Sequence, residues 1–233
     1  MKQREHQERR DRKPKEHSNQ QKRNKLTNYY KQRYQLFSKY DDGILMDEEA
    51  WYSVTPEEIA LNISDRISWK LNFLKREIRV LDLFCCVGGD TIQQAVNGHL
   101  VTSVDIDKAK LEMLKHNAAI YHVDQKIITV HCDVFDYVRN VEDGRYDCVI
   151  MSPPWGGPKK DRKKTTLESL FGGLHWLFVE CVRKFRNVVL YIPKDMDVDF
   201  VQAEVDFPFE VVRFAFGNHQ VMAAIVTGVL IHV

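Results

Sequence analysis

Residues 151–158 read Met-Ser-Pro-Pro-Trp-Gly-Gly-Pro and follow a short apolar run, Tyr146 to Ile150. These residue types suit the positioning of a weak nucleophile. The exocyclic amine of a nucleobase has its lone pair delocalised into the ring. An enzyme that alkylates it must hold it in line and accept its hydrogens as the nitrogen pyramidalises. A carbonyl between two prolines is rigid and has no N–H beside it to compete. Ser152 and Pro153 are therefore candidate acceptors, through a hydroxyl and a carbonyl, and Trp155 offers a stacking face for the base. Positioning alone can remove ~7–11 kcal/mol of a barrier, so no strong general base is required.

A second stretch can hold the other reactant. Residues 82–91, DLFCCVGGDT, place Gly88 and Gly89 side by side after an apolar run. Two glycines are expected to let the backbone approach a ligand with no side chain in the way. Asp105 lies seventeen residues after Gly88 and can accept from both hydroxyls of a ribose, with Ile106 beside it. Asp133 ends a third apolar run and can meet the amino group of a base. The dinucleotide fingerprint G-x-G-x-x-G is missing. An acid on the first strand, Asp82, suits a cofactor that carries an ammonium group, as S-adenosylmethionine does. The expected cofactor set is Asp82, Phe84, Gly88, Gly89, Thr91, Asp105, Ile106 and Asp133.

These residues need a scaffold that brings strand ends together. The spacing predicts strands over 79–84, 100–105, 126–132, 146–151 and 187–192, alternating with helices over 91–96, 108–121, 167–182 and 198–205. Alternation of this kind implies a mostly parallel sheet with helices on both faces, and ligands at the carboxyl ends of its strands. Residues 210–216 and 221–231 read as a closing antiparallel hairpin. Upstream, Thr55-Pro56-Glu57-Glu58 reads as a helix start, with Thr55 as N-cap and the helix running to about Trp69. Tyr29 to Phe37 mixes aromatic and basic residues at near-helical spacing, which fits a packed helix or a nucleotide-binding surface equally.

The 233 residues suffice for one α/β domain with additions. The charge is uneven. Residues 1–28 hold ten Lys/Arg against four acids, a net +6; the other 24 basic and 29 acidic residues leave −5. A basic arm on an acidic body points to a polyanion, most simply nucleic acid, or to an import signal. The organisation expected is a basic, disordered arm (1–28), a helical extension (29–75) and an α/β core (76–233). Five cysteines without a CxxC pair read as reduced packing residues, and nine histidines without HxxxH spacing predict no metal. No apolar run reaches the ~20 residues of a membrane span, and the Lys/Arg-rich start has no secretory character.

The motifs LFSKYDDGI (36–44), WYSVTPEEIA (51–60), DLFCCVGGDTIQ (82–93), VDID (104–107) and SPPWGGP (152–158) resemble those of the trimethylguanosine synthase family. The resemblance implies a class I, Rossmann-like methyltransferase with a seven-stranded sheet and a small helical N-terminal extension. It implies methyl transfer from S-adenosylmethionine, yielding S-adenosylhomocysteine, to N2 of 7-methylguanosine in RNA caps. It further implies capped small nuclear and nucleolar RNAs as partners, action as a monomer, and a nuclear or nucleolar place with the cytoplasm also open. Trp155 would stack on the methylated guanine while Ser152 and Pro153 meet its amine, and Thr55 would lie near the cofactor. A cationic 7-methylguanine stacks better on Trp by ~0.5–2 kcal/mol. The triphosphate of a cap needs cations, for which Arg33, Lys160 and Lys194 are candidates. The chain departs from the family pattern at Cys86, where a glycine is usual, at Asp90, where asparagine is, and at Lys160, where an aromatic is. Two other readings are an amino-group methyltransferase for a different RNA or DNA base, and a non-catalytic cap-binding relative.

Overall fold

The computed structural model describes residues 30–155, 166–216 and 219–232. Seven strands form one sheet: β1 (Arg79–Leu83), β2 (Leu100–Asp105), β3 (Ile127–His131), β4 (Cys148–Met151), β5 (Val188–Ile192), β6 (Phe209–Phe216) and β7 (His219–Thr227), in the order β3-β2-β1-β4-β5-β7-β6. The first five are mutually parallel, and β7 runs antiparallel between β5 and β6. The strand order reverses between β1 and β4, so the carboxyl ends of these two flank the switch point of the sheet.

The central strands read as near-continuous apolar runs because both sheet faces are covered. Their side chains alternate. Leu81, Leu83, Val149, Met151 and Leu190 pack on one face beneath α8 (Leu174–Phe185) and α6 (Val134–Asn140). Val80, Cys148, Ile150, Val189 and Tyr191 pack on the other beneath α3 (Glu57–Lys70). Helix α3 presents Ile59, Ile63 and Ile67 at four-residue spacing, each almost fully buried. Burial of one such side chain contributes ~1.5–3 kcal/mol. Two further helices close the sheet, α4 (Gly89–Val96) after β1 and α5 (Lys108–Ile120) after β2.

The extension shares this core. Phe37, Ile44, Ala50 and Val54 pack with Val87, Ile92 and Ala95, among short helices α1 (Arg33–Leu36) and α2 (Ala50–Ser53). The buried Asn117 of α5 clamps it: Oδ1 accepts from Leu45 N (2.8 Å), while Nδ2 donates to Leu45 O (2.9 Å) and Val87 O (3.0 Å). Glu57 accepts from both the amide and hydroxyl of Ser38 (2.7 Å each) and from the Tyr121 hydroxyl (2.6 Å).

Four expectations change. Thr55 does not cap α3; Pro56 precedes the helix and the Thr55 hydroxyl turns to Asp90 instead. The single helix expected over 167–182 is two, α7 (Leu167–Leu170) and α8, divided at Gly172-Gly173. Gly173 has φ +79, and a Cβ there would lie 2.7 Å from the Phe135 ring, so apolar periodicity alone could not show the break. Helix α6 was absent from the expected set, although Asp133 begins it as a side-chain N-cap. The last strand ends at Thr227, followed by a 3₁₀ turn over Gly228–Leu230. The remaining helix, α9 (Val198–Glu204), agrees with expectation, and residues 217–218 of the expected hairpin turn lie outside the described residues. Among the described residues no helix is long and apolar enough to cross a membrane.

Candidate active site

A cleft of about 770 Å³ opens at the carboxyl ends of β1, β2, β3 and β4. One wall is made of backbone turns and short polar side chains. β1 runs into Phe84 (φ +64) and Cys86 (φ +50), two non-glycine residues in the left-handed region. Such a conformation costs ~1–2 kcal/mol for a residue with a Cβ. The turn is held because the Phe84 and Cys85 amides both donate to Val104 O (3.0 and 3.3 Å) and Gly88 N donates to Cys85 O (3.0 Å). Asp105 completes it: Oδ2 accepts from Cys86 N and Oδ1 from Asp107 N, each at 2.9 Å. Asp107 in turn caps α5 through Ala109 N and Lys110 N. Asp133 caps α6, its Oδ1 accepting from Phe135 N (2.8 Å) and Asp136 N (3.3 Å). Each of the three carboxylates is thus locked by amides at a strand end. Ile106 stands 67% exposed between them, an apolar cover for whatever the acids hold.

The glycines are also required by the packing of the protein itself. A Cβ on Gly89 would lie 2.7 Å from Val54 Cγ2 and 2.8 Å from Thr55 O. Gly88 has φ +100, and its Cβ would meet Leu114 Cγ at 3.0 Å. Both leave room for the protein itself, Gly89 for the extension and Gly88 for α5. Gly89 also lines the cleft; Gly88, Asp82 and Thr91 do not. Asp82 is fully buried, receives the Thr91 hydroxyl on Oδ2, and has no hydrogen-bond partner at Oδ1 among the described residues. Burial, and then the neighbouring Asp90, push its carboxyl well above the ordinary range.

Asp90 does line the cleft, though only 5% exposed. It accepts from the Thr55 hydroxyl (2.5 Å, Oδ2) and the Tyr191 hydroxyl (2.8 Å, Oδ1). Burial pushes it up to about 6, against the pull of those two hydrogen bonds. At the outer edge Lys110 bridges to Glu49 (2.6 Å). Burial opposes the charge on Lys110, but the Glu49 carboxylate outweighs it and holds the ammonium above its ordinary value.

The facing wall is aromatic. Ser152 N donates to Leu83 O (3.2 Å), which continues the β1–β4 ladder one residue past the strand. Pro153 is buried and Trp155 half-buried, packed against the apolar clusters of both sheet faces. The Pro153 carbonyl accepts no backbone hydrogen bond among the described residues. Phe84 and Phe171 meet edge to face (5.4 Å), Phe171 stacks on Phe135 (6.1 Å), and Met222 of β7 closes the side.

Of the expected residues, the structure brings Thr55, Phe84, Gly89, Asp105, Ile106, Asp133, Ser152, Pro153 and Trp155 to one cleft. Arg33 is elsewhere. Its guanidinium lies between the Tyr30 and Tyr34 rings (4.4 and 4.2 Å) and donates to Tyr30 O and the Tyr34 hydroxyl. Lys194 is exposed past the end of β5 and does not line the cleft. Lys160 lies outside the described residues. Sequence reasoning missed Tyr52, Lys110, Phe135, Phe171 and Met222 as lining residues. Lys110 and Phe135 follow capping aspartates by three and two positions, a usable signal; Phe171 and Met222 arrive from remote chain with none. A cleft of this size matches a nucleoside-sized ligand. The strand-end acceptors fit a cofactor with ribose hydroxyls, and the buried Asp90 carboxylate, with Asp82 behind it, fits a cationic group.

Residues 77–220 match the model of a family described as RNA cap guanine-N2 methyltransferase. The chain belongs to this family. Every lining residue from Phe84 to Trp155 falls inside the matched span, while the extension precedes it. The chain is similar to trimethylguanosine synthase of Schizosaccharomyces pombe, 36% identical over 180 residues that cover 74% of this chain and 72% of that protein. It is similar to the Saccharomyces cerevisiae trimethylguanosine synthase, 35% identical over 188 residues, which are 76% of this chain and 58% of that one. The fold matches a human methyltransferase 10 domain containing protein at a TM-score of 0.61 and 14% identity, over 87% of this chain and 97% of that one. The family is therefore set on a class I methyltransferase fold, as the motifs implied.

Proposed function

We propose that this protein methylates N2 of 7-methylguanosine at the 5′ end of capped RNA, with the cofactor on the β1–β3 side of the cleft and the base against Trp155. The reaction class follows from family membership: the protein is an S-adenosylmethionine-dependent RNA cap guanine-N2 methyltransferase. When bound, S-adenosylmethionine supplies a methyl group on a positively charged sulfur.

The chain's own residues do the rest by positioning. Asp105, oriented by two amides, keeps lone pairs for the ribose hydroxyls. Asp133 has its Oδ1 engaged in the α6 cap, leaving Oδ2 for a base amino group. Ile106, Phe84 and Phe135 exclude water from that base. On the facing wall, Trp155 stacks on the guanine ring, whose positive charge after N7 methylation strengthens the contact. The same charge acidifies the N2 hydrogens, so the Ser152 hydroxyl and the Pro153 carbonyl are sufficient acceptors for them. No strong base is needed at N2.

The observation that carries this reading is the placement of Ser152-Pro153-Pro154-Trp155. They sit at the end of β4, tied to Leu83 of β1, across one cleft from the locked strand-end acids. The charge of the basic arm supports RNA contact and nuclear action, and action as a monomer is part of the same proposal. Mass spectrometry of a 7-methylguanosine-capped dinucleotide incubated with the protein and S-adenosylmethionine tests the proposal. A gain of one or two methyls on that cap and none on the unmethylated cap is expected, and it counts the methyls. Methylation of a different base, or no gain while the cofactor binds, would refute the cap reading.

A further inference from the structure

The cleft is acidic, and its charges fall into two kinds. Glu49, Asp90, Asp105, Asp107 and Asp133 line it against a single lysine among the described residues, Lys110. Lys110 is bridged to Glu49, and Asp105, Asp107 and Asp133 each accept backbone amides at a strand end or helix start. Asp90 differs from all of them. It is nearly fully buried, and its two partners are neutral hydroxyls from Thr55 and Tyr191. Behind it lies Asp82, fully buried, close enough to interact with it, and without a partner at Oδ1 among the described residues. No basic side chain forms an ion pair with either acid among the described residues. Buried carboxylates are ordinarily paired with cations or metals. Here the protein supplies no cation.

We propose that Asp90 is a charge-selecting residue of the cleft: with Asp82 behind it, it favours a ligand bearing a fixed positive charge, so the sulfonium cofactor is held in preference to its neutral thioether product. This rests on the cofactor assignment above and deepens it. S-adenosylmethionine and S-adenosylhomocysteine carry the same adenosine, amino and carboxylate groups and differ in the charge at sulfur. Asp105, Asp133, Ile106 and Phe135 act on the shared parts and cannot tell the two apart. A carboxylate that faces the charged region can. Its hydroxyl partners orient it without cancelling it, because neither Thr55 nor Tyr191 bears a charge. The consequence is weaker retention of product at the same adenosine contacts.

Asp90 also titrates in a useful range. Asp90 is pushed up to about 6 by burial, so its charge is present at neutral pH and is lost below that value. The titratable groups that face the pair are Asp82 on β1, Asp105 on β2, Cys85 in the turn and Tyr191 on β5; burial holds Cys85 and Tyr191 neutral. The selection should therefore fade as Asp90 protonates.

Titration calorimetry of both ligands against the wild type, Asp90→Asn and Tyr191→Phe tests this. Asparagine keeps the shape, and the Thr55 and Tyr191 hydroxyls can turn to accept from its Nδ2. The ratio of the two dissociation constants is the readout. Asp90→Asn is expected to lower the preference for S-adenosylmethionine about tenfold, the equivalent of one pKa unit of charge interaction, while leaving the affinity for S-adenosylhomocysteine nearly unchanged. Tyr191→Phe, which keeps the carboxylate, should retain the preference. In the wild type alone, the preference should fall when the pH drops from about 7.5 to about 5. An unchanged ratio in Asp90→Asn, or a ratio in the wild type that ignores pH, overturns the proposal. Failure of the wild type to bind either ligand would instead overturn the cofactor assignment itself.

Discussion

The two walls of the cleft solve opposite problems. On the β1–β3 side the three carboxylates at the strand ends are fixed by backbone amides: Asp105 by Cys86 and Asp107, Asp107 by Ala109 and Lys110, Asp133 by Phe135 and Asp136. That wall is a rigid set of acceptors, arranged by turns and helix caps. On the β4 side the wall is Ser152, Pro153, Trp155, Phe171 and Met222, apolar surface whose Pro153 carbonyl accepts no backbone hydrogen bond among the described residues. In the proposed function the first wall serves to read hydroxyls and amino groups, and the second to hold a flat ring and accept the hydrogens of an amine. Recognition by directed hydrogen bonds and positioning by shape are thus divided between neighbouring strands, β1 and β4, joined through Leu83 O.

The division can be broken from either side. Trp155→Ala should reduce turnover on the 7-methylated cap at least about a hundredfold, because a small misplacement of the reacting amine has that effect. Affinity for S-adenosylmethionine should stay within about twofold; a wild-type rate in that variant removes the stacking role. Asp105→Ala attacks the other wall. It should weaken cofactor binding about 10–100-fold, through loss of charge-assisted hydrogen bonds and of the hold on Cys86 N. Unaltered thermal stabilisation by the cofactor would show that the acid does not touch it.

Three smaller effects sharpen the comparison by testing what the cofactor wall is built on. Gly89→Ala forces a methyl against Val54 and the Thr55 carbonyl. The expected cost is ~1–3 kcal/mol in urea denaturation, since the Thr55 backbone cannot yield freely. The second concerns pH. Asp90 has a folded-state value of about 6 against an ordinary value of 3.8. The folded protein therefore binds its proton more tightly than the unfolded chain, and stability without ligand should fall as pH rises between those values. Asp90→Asn should flatten that part of the profile; a fall of equal size in the variant assigns it to other groups. The smallest effect is Cys86→Gly. It relieves a side chain at φ +50 but frees the unfolded chain, for a net gain of ~0.5–1 kcal/mol in thermal unfolding. A loss of stability would mean that the Cys86 side chain contributes more by packing than its backbone conformation costs.

Much of this architecture was legible in residue order. The five parallel strands announce themselves as apolar runs ended by acids or turns, since a strand buried on both faces tolerates little else. The SPPW segment and Asp105 were legible for the same reason, as they end such strands. The misplaced features share a different cause. Thr55 has every local mark of an N-cap, yet its hydroxyl is better satisfied by the buried Asp90 carboxylate thirty-five residues away. The 167–182 helix looks continuous until Phe135 fills the space that a side chain at Gly173 would need. Arg33 has the composition of a phosphate ligand, but two tyrosines beside it take the guanidinium first.

The sequence by itself determined the strand order of acids and the proline-tryptophan turn, because these are set by contacts within a few residues: alternation along a strand, rigid φ at proline, caps at helix starts. The tertiary structure alone decided which of those groups share a cleft, what a side chain at Gly88 or Gly89 would meet, and that Asp90 lines the cleft with only neutral hydroxyl partners among the described residues. Those outcomes depend on how α3, α5, β5 and β7 pack over the switch point. The energies concerned, a Cβ clash or an uncompensated carboxylate, arise between residues that local spacing does not relate.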